Sequence, residues 1–435
     1  MRSRLSVDKF VSLVILLILV LSVSAAGAQE PLVIKYWSHD STPRIPIDND
    51  MIARFEADNP GVRVEYTVGP GDDPLYVEQL LTALAGGVGP DCFNVVATRV
   101  PDLVPSGAVV PVDYAAMGYA SQQDLIDQFI PGTLGTFIHD GVLYAVPTEV
   151  GNYALFINGD LFEAAGLDPV ADAPETWEEL MEMAPLLTER DANGNITQRA
   201  FDFAYPIPDE IVSPRVTFGG MAYQLGGTYF NEDFSAGNVN HPGWVRTFEF
   251  IRDYGNEFGG PALTPSSIGF YEGTVAMVIS GAWYLPYVQE FNPDMTNIYA
   301  APLPRFADAI NDTGSMLYAY GIYTNSQSSP EVQEACWKLV TYLTSTEAAE
   351  RYLTDVQTLL PRVDLAENTE FLEGQFIQTF LNDMAGNPFL PAVSGGGALP
   401  GILNRALERV LLEGMDAQES LDIANEEINA FLSAN

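Results

Sequence analysis

Residues 51–69 read MIARFEADNPGVRVEYTVG, and this stretch decides the fold class. Apolar residues recur at helical spacing, an Asn-Pro-Gly sequence (59–61) stops the helix, and strict alternation then predicts a strand over 62–68. A strand at 32–40 (LVIKYWSHD) precedes this helix, and VEQLLTALAGGVGPDCFNVV (77–96) repeats the helix–strand step. A β-α-β-α-β order predicts a mostly parallel sheet with helices on its faces. Ligands of such sheets bind beyond the carboxyl ends of the strands.

A second alternation of strands and helices begins near residue 144. YAVPTEVGNYALFINGDLFEAAGL (144–167) predicts a strand and a short helix, and PETWEEL (174–180) predicts a capping box with Thr176 as N-cap and Glu179 at N3. We interpret DANGNIT (191–197) as a hairpin turn rather than a calcium loop, because the closing glutamate of such a loop is missing. The chain has 435 residues, too many for one ordinary core, and this favours two lobes.

The N-terminus predicts export. Three basic residues within the first nine precede an uncharged stretch, FVSLVILLILVLSVSAA (10–26), and then the small-residue sequence Ala-Gly-Ala (26–28). This pattern predicts a secretory signal peptide over 1–28, cleaved after Ala28, with an uncleaved membrane anchor as the alternative. The sequence has no cysteine near the cut to carry a lipid. The mature protein is therefore expected in the periplasm or outside the cell.

Composition limits the partners. The formal net charge is −39, so we expect no binding to nucleic acid or to an anionic membrane surface, and a soluble monomer. Three scattered histidines give no zinc pattern, and we expect neither a metal nor a cofactor. Cys92 and Cys336 are expected to be buried free thiols, and one long-range bridge is the alternative.

The order of the predicted elements resembles a known family. The chain is similar to the extracellular solute-binding proteins, family 1, of ATP-driven sugar importers, which include maltose-binding protein. The resemblance depends on an ordered set of stretches that spans most of the mature chain. They are FEADNPGVRVEY (55–66), LLTALAGGVGPDCFNV (80–95), GAVVPVD (107–113), DGVLYAVPTEVGNYALFINGDLFEAAGLD (140–168), PETWEEL (174–180), YEGTVAMVISGAWYLP (271–286), APLPR (301–305) and AYGIYTNSQSSPEVQEACWKLVTYLTSTEAAERYL (319–353).

The resemblance implies an α/β fold of two lobes, the type II periplasmic-binding-protein-like fold, with a hinge of crossing segments and a ligand cleft between the lobes. It implies crossings around 144–150, 299–304 and 325–330. Lobe one would then comprise 29–145 and 302–328, and lobe two 148–300 and 330–435. The implied function is capture of a sugar and its delivery to the permease subunits of an ABC importer.

Two rings at the end of an apolar strand are the first candidate ligand contacts. Trp283 and Tyr284 follow VAMVIS and a Ser-Gly turn, and each offers a flat apolar area with a polar edge. Such rings cover the C–H faces of a sugar, and the alternative is that both are ordinary core or domain-interface residues. The resemblance favours the ligand role for Trp283, because the family places a stacking tryptophan after such a strand.

Polar candidates follow the first-lobe strands and the predicted hinge. Trp37 and Asp40 lie at the end of the first strand, Arg99 follows the third, and Glu149 and Tyr153 lie near the first crossing. Carboxylates accept hydrogen bonds from sugar hydroxyls, and an arginine offers a bidentate donor. Asn152 is a neighbour of similar chemistry, and His39 and Tyr320 are weaker candidates. In lobe two the resemblance adds Arg215 and Phe218.

A glycine-rich stretch departs from the maltose-type pattern. Ser394, Gly395 and Gly396 precede a helix where those relatives carry an aromatic platform. Bare backbone N–H groups at a helix start favour an anion or several hydroxyl oxygens, although a loop without ligand contact is equally compatible. This difference leaves glycerol 3-phosphate, or another polyol or anionic solute, as an alternative ligand.

A secreted carbohydrate-active enzyme is the alternative from another class. A retaining glycosidase requires only two carboxylates about 5–5.5 Å apart, and the chain has 58 acidic residues. The sequence has no G-x-S-x-G, H-E-x-x-H or G-x-x-x-x-G-K-[ST] motif, so we expect binding without catalysis.

Overall fold

The computed structural model describes residues 30–39, 41–70, 73–203, 216–258, 266–368, 376–384, 386–394 and 396–434. The strands of this part of the chain are Leu32–Ser38 (β1), Val62–Val68 (β2), Cys92–Val96 (β3), Ile138–His139 (β4), Val142–Leu143 (β5), Val146–Gly151 (β6), Ala154–Asn158 (β7), Glu189–Arg190 (β8), Ile196–Asp202 (β9), Val275–Ser280 (β10), Ile298–Ala301 (β11) and Tyr318–Thr324 (β12).

Helices cover both faces of the sheets that these strands form. They are Ile45–Asp58 (α1), Asp73–Ala85 (α2), Val100–Leu103 (α3), Gln122–Ile126 (α4), Gly159–Ala164 (α5), Trp177–Leu187 (α6), Phe218–Gln224 (α7), Pro242–Phe258 (α8), Ser266–Tyr271 (α9), Tyr284–Phe291 (α10), Pro330–Leu343 (α11), Thr346–Val356 (α12), Val363–Ala366 (α13), Gln378–Met384 (α14), Leu399–Leu412 (α15) and Ala417–Ala434 (α16). None of the described helices has both the length and the apolar composition that a membrane span requires.

The first sheet has the order β2-β1-β3-β12-β6. β1 pairs in parallel with β2 and β3, as the β-α-β-α-β pattern predicts, and β12 runs antiparallel to β3 and β6. All five residues of β3 are buried, because it lies in the middle of a sheet covered on both faces.

The second sheet has the order β11-β7-β10-β9-β8. The predicted hairpin turn after Arg190 is confirmed: β8 and β9 are antiparallel, and Asp191 Oδ1 accepts from the backbone N–H groups of Asn193 and Asn195 at 2.8 Å. The predicted capping box is also confirmed, with Thr176 and Glu179 in the expected roles at the start of α6.

The two sheets are the centres of two lobes, and the chain passes between them. It leaves the first lobe after β6, returns between β11 and β12, and leaves again between α13 and α14. The second lobe includes α15 and α16, which pack against each other and against α8. The fold is therefore the predicted two-lobed α/β arrangement with crossing segments.

The structure places three segments differently from the predicted lobe boundaries. β6 belongs to the first sheet, so the first crossing follows residue 151. Residues 302–313 lie on the second lobe, where the Arg305 N–H donates to the Glu175 carbonyl oxygen (3.0 Å). α11 packs against α1 and β1 of the first lobe, and the Ile130 N–H donates to the Pro361 carbonyl oxygen (2.8 Å). An amphipathic pattern predicts that a helix has a buried face, but it does not indicate which sheet covers that face.

Candidate functional site

One internal space lies where the first crossing meets the second lobe. Both lobes contribute to its lining, which consists of Glu149, Val150, Gly151, Asn152, Ala282, Trp283, Tyr318, Gln357, Thr358, Leu359, Ile377, Phe380 and Met384. Asn152 Nδ2 donates to the Phe380 carbonyl oxygen at 3.1 Å, so the crossing is bonded directly to α14. Clefts between domains are common ligand sites, and this one combines rings, an amide and a carboxylate.

Trp283 reaches this space from the second lobe. The chain turns at Gly281 after the fully buried strand β10, and a Cβ atom at Gly281 would lie 2.2 Å from the indole Nε1. A glycine is therefore required for the indole to lie against the turn. The indole is half-buried and lines the same space as Tyr318, which belongs to the first sheet. The structure thus places Trp283 at the cleft, as its sequence position predicts.

Tyr284, the next residue, lies elsewhere. Its side chain is buried, and its ring packs edge-on against Phe156, with centroids 5.3 Å apart and an interplanar angle of 75°. It also contacts Phe270 at 6.0 Å. Burial raises the pKa of Tyr284. The structure places this ring in the core of the second lobe and does not bring it to the cleft.

Glu149 is a buried carboxylate at the first crossing. The Tyr318 hydroxyl donates to its Oε1 at 3.0 Å, and the guanidinium of Arg44 lies 3.6 Å from Oε2. Burial raises the pKa of Glu149, and the opposing effects of Arg44 and the Tyr318 hydrogen bond are smaller. Glu149 therefore combines an exposed fraction of only 6% with a position on the cleft wall.

His39 lies beyond the carboxyl end of β1 and stacks on Tyr320. The ring centroids are 4.0 Å apart and the planes differ by 16°. Asn94 Nδ2 donates to Thr148 Oγ1 (2.6 Å), so its Oδ1 is left to accept from His39 Nδ1 (2.6 Å). This assigns the proton to Nδ1, and the unprotonated Nε2 lies 4.0 Å from Glu149 Oε2. Burial, and then the charge of Arg44, lower the pKa of His39 to about 3, so the ring is neutral.

Arg44 holds this region together. Its side chain is buried between two carboxylates: Nη2 is 3.9 Å from Asp48 and Nη1 is 3.6 Å from Glu149. The guanidinium lies over the ring of Tyr352, 4.4 Å from the centroid. Burial alone would lower the pKa of Arg44, but the attraction of Asp48, Tyr352 and Glu149 outweighs it and the pKa is raised. We call His39, Arg44, Asp48 and Glu149 the buried polar network.

Arg99 and the glycine-rich stretch meet across the lobes. Arg99 is buried and lies 3.8 Å from Asp102, whose carboxylate is 3.3 Å from the Ser394 hydroxyl. A Cβ atom at Gly397 would lie 2.4 Å from Arg99 Nη1, so the guanidinium fits against bare backbone. The N–H of Gly396 donates to the Val393 carbonyl oxygen (2.9 Å) within its own turn, so it is not directed at a ligand.

The remaining predicted residues have other surroundings. Trp37 lies half-buried within β1, and its carbonyl oxygen accepts from the Tyr76 hydroxyl (3.4 Å). The Tyr153 ring is buried 5.8 Å from that of Tyr318, and Phe218 is buried beside Phe203, also at 5.8 Å. Three further predicted contacts, Asp40, Arg215 and Gly395, lie outside the described residues.

Sequence reasoning did not single out Arg44 and Tyr318. Tyr318 and Tyr320 are two positions apart in YAYGIY, so a strand directs both rings to one face, and this spacing was an available signal. Arg44 stands at the start of α1, shortly after the carboxyl end of β1. No motif marks it, and only the tertiary structure brings it to Glu149.

Two α/β lobes with crossing segments and a cleft lined by both define a two-lobed solute-binding protein. Residues 40–350 match the family described as bacterial extracellular solute-binding protein, and the chain belongs to that family. The predicted family is therefore confirmed.

The relatives support the same class. The sn-glycerol-3-phosphate-binding periplasmic protein of Escherichia coli is 25% identical over 429 residues, which cover 94% of each chain. The arabinooligosaccharide-binding protein of Halalkalibacterium halodurans is 22% identical over 322 residues, 71% of this chain and 66% of that one. An ABC transporter solute-binding protein from Thermotoga lettingae, solved with bound alpha-D-tagatose, superposes with a TM-score of 0.80 at 22% identity, over 92% of this chain and 100% of that one. The similarity to this solved structure shows that the two chains share a fold.

Proposed function

We propose that this chain is the extracytoplasmic substrate-binding component of an ABC importer, and that it carries a sugar, from one unit to an oligosaccharide, to the membrane permease. The observation that carries the proposal is the meeting of Trp283 with the buried Glu149 and Tyr318 in one interlobe cleft. A sugar has apolar C–H faces and a fringe of hydroxyls. It therefore requires a flat ring beside fixed hydrogen-bonding groups.

The buried polar network supplies the fixed acceptors. Glu149 lines the cleft, and its Oε2 lies 4.0 Å from His39 Nε2, so the network offers one acceptor on the cleft wall and a second one directly behind it. Because burial keeps His39 neutral, its lone pair is available at neutral pH. The hydrogen bond from Tyr318 (3.0 Å) orients Glu149, and the charge of Arg44 lies 3.6 Å from its other oxygen, so the acceptor geometry is set before the ligand arrives.

Binding is coupled to closure of the lobes. We take the moving bodies to be the described residues of 30–151 and 318–368, and the described residues of 152–313 and 376–434, because each set packs around one sheet. Ligand held by Trp283 on one body and by Glu149 on the other favours the closed form, since its affinity for that form is greater. The closed protein, as a monomer, is then recognised by the permease.

Glycerol 3-phosphate, or a related anionic polyol, is the second candidate. It is favoured by the 25% identical relative that binds this compound and by Arg99, which lies beside Gly397 at the opposing glycine-rich turn. A guanidinium is a suitable partner for a phosphate oxygen.

A thermal-shift screen of residues 29–435 distinguishes the candidates. The panel contains mono-, di- and trisaccharides, sugar alcohols and glycerol 3-phosphate. A ligand at one hundred times its dissociation constant stabilises the folded protein by about 2.7 kcal/mol, so its melting temperature rises. We expect a rise with a neutral sugar. A rise with the phosphate alone would replace the sugar proposal by the second candidate, and no rise with any compound would contradict both.

Trp283→Ala tests the contact that carries the proposal. Loss of one aromatic face should weaken sugar binding by about 1–3 kcal/mol, roughly 5- to 150-fold by calorimetric titration. Phe291→Ala is the control, because that ring lies at the far end of α10, the helix that Trp283 precedes, is 60% exposed and does not line the cleft. Unchanged affinity in a folded Trp283→Ala protein would make Trp283 an ordinary packing residue.

Export and the lack of catalysis have separate tests. N-terminal sequencing of the exported protein should begin at Gln29, after cleavage of 1–28; an intact N-terminus would indicate the membrane anchor. Sugar recovered after prolonged incubation with the protein should be unchanged by chromatography. Hydrolysis would favour the carbohydrate-active enzyme.

A further inference from the structure

We propose that Cys92 and Cys336 form an intramolecular disulfide in the exported protein, a covalent bond that fixes α11 to the first sheet. Their sulfur atoms are 2.7 Å apart, closer than unbonded thiols ordinarily approach, and both side chains are fully buried. A disulfide requires sulfurs about 2.05 Å apart, so the remaining approach is roughly 0.7 Å and within the reach of small side-chain rotations. The proposal rests on export, which is part of the proposed function.

The surroundings of both cysteines are fixed independently of the sulfurs. Asp91, just before Cys92, accepts from the Lys35 backbone N–H (2.8 Å) and from the Ser328 hydroxyl (2.6 Å). Cys336 lies on the buried face of α11, a helix capped by Ser329 and packed on α1 and β1. The backbone therefore brings the two sulfurs together without depending on a bond between them.

The composition of the chain favours one pairing. The sequence contains two cysteines, so a single intramolecular disulfide can form and no mispaired intramolecular alternative exists. The bond would join residues 244 positions apart. Closing so long a loop restricts the unfolded chain strongly, and stabilisation increases with loop length in the chain-entropy account.

The oxidant we name is a protein disulfide of the cell envelope. One cysteine thiolate attacks that disulfide and forms a mixed disulfide, and the second thiolate then displaces the oxidant as a dithiol. The two cysteines lose two protons and two electrons, and the two sulfurs of the oxidant gain them. Burial raises the pKa of Cys336, so attack takes place while the thiols are still exposed during folding after export.

Both sulfurs lie away from the cleft. Cys92 is the first residue of β3, whereas Arg99 and the cleft-facing residues follow the carboxyl end of that strand. The disulfide should therefore affect stability without affecting ligand contacts.

Thiol trapping tests the bond directly. The protein is exported into an oxidising envelope, quenched in acid, denatured with N-ethylmaleimide and weighed intact by mass spectrometry, beside a sample reduced first. We expect no adduct without reduction and two adducts after it. Two adducts without reduction would overturn the proposal. The reduced chain, refolded in a glutathione buffer, should also lose its reactivity toward N-ethylmaleimide. Two adducts on the refolded chain would overturn the proposal, because they would show that the fold does not bring the two sulfurs close enough to bond.

Variants separate a bond from ordinary packing of two thiols. Cys92→Ala, Cys336→Ala and the double variant should each lower the melting temperature by the same amount, on the order of 5 °C, because one substitution already removes the whole bond. Additive losses would indicate packing and contradict the bond. Ligand affinity should stay within two-fold in all three variants. A failure of trapping therefore leaves the sugar proposal intact, and absence of sugar binding does not affect the adduct count.

Discussion

The two walls of the cleft are built differently. On the first lobe, the buried polar network places Arg44 between two carboxylates, with His39 held by Asn94. On the second lobe, Trp283 and Phe380 face the space, and the backbone of α14 supplies the polar partner of Asn152. Charges that are buried together must be kept paired, whereas a half-buried ring can lose its partner at little cost. Substitutions in the first wall should therefore lower the free energy of unfolding as well as ligand affinity. Substitutions in the second wall should lower the free energy of unfolding much less.

Arg44→Met tests this coupling most severely. Its removal leaves Asp48 and Glu149 buried without their cation, so we expect a loss of about 3–5 kcal/mol in the free energy of unfolding, measured with urea. Arg246→Met on the second lobe is a matched control. That arginine also pairs with a carboxylate, Glu178 (3.0 Å), and lies over a ring, Phe306 (5.2 Å), but it is about half exposed. Its loss should cost about 1 kcal/mol or less. Equal losses in the two variants would contradict the distinction between the walls.

Sequence reasoning predicted local features of both lobes. The strand–helix alternation, the capping box at Thr176 and the turn that presents Trp283 all depend on residues close together in the chain. It did not separate Trp283 from Tyr284, because the direction of adjacent side chains after a turn depends on the backbone geometry of that turn.

Long-range packing accounts for what the sequence did not indicate. The pairing of Arg44 with Glu149 joins the start of α1 to the first crossing, and no local pattern predicts it. The same reason explains the placement of 302–313 on the second lobe and of α11 on the first. Each of these contacts joins segments that are far apart in the chain.

The pH dependence of stability gives a smaller effect on the first wall. The pKa of His39 is about 3 in the folded protein and about 6.5 when unfolded, so the unfolded chain binds the extra proton between these values. The stabilisation is therefore complete above pH 6.5 and decreases as the pH falls toward 3. From pH 7 to 5, we expect the wild type to lose up to about 2 kcal/mol more than His39→Gln, measured by urea unfolding.

Glu149 contributes with the opposite sign. Burial raises the pKa of Glu149, so the contribution of Glu149 to stability decreases as the pH rises through this raised pKa. Glu149 is present in both proteins, so most of its own titration cancels in the difference between wild type and His39→Gln. A difference that does not change with pH would show that His39 titrates normally in the folded protein.

The contact between the lobes at Gly397 gives the smallest expected effect. It tests whether the two lobes also meet outside the two walls of the cleft. Gly397→Ala places a methyl group against the Arg99 guanidinium, which can move but is itself buried. If the contact forms only on closure, we expect ligand affinity to fall by about 1 kcal/mol, roughly five-fold, with the melting temperature of the unliganded protein unchanged. Gly401→Ala, in the first turn of α15 just after this stretch, is the control, since the nearest neighbour of the added methyl group, Arg405 Nη1, would be 3.5 Å away. The double variant Gly397→Ala/Arg99→Ala lacks the guanidinium that the added methyl group would meet. The losses of ligand affinity from the two substitutions should therefore be non-additive in calorimetric titrations. A lower melting temperature of unliganded Gly397→Ala, with unchanged affinity, would mean that the contact belongs to the resting protein and that closure depends on Trp283 and Glu149 alone.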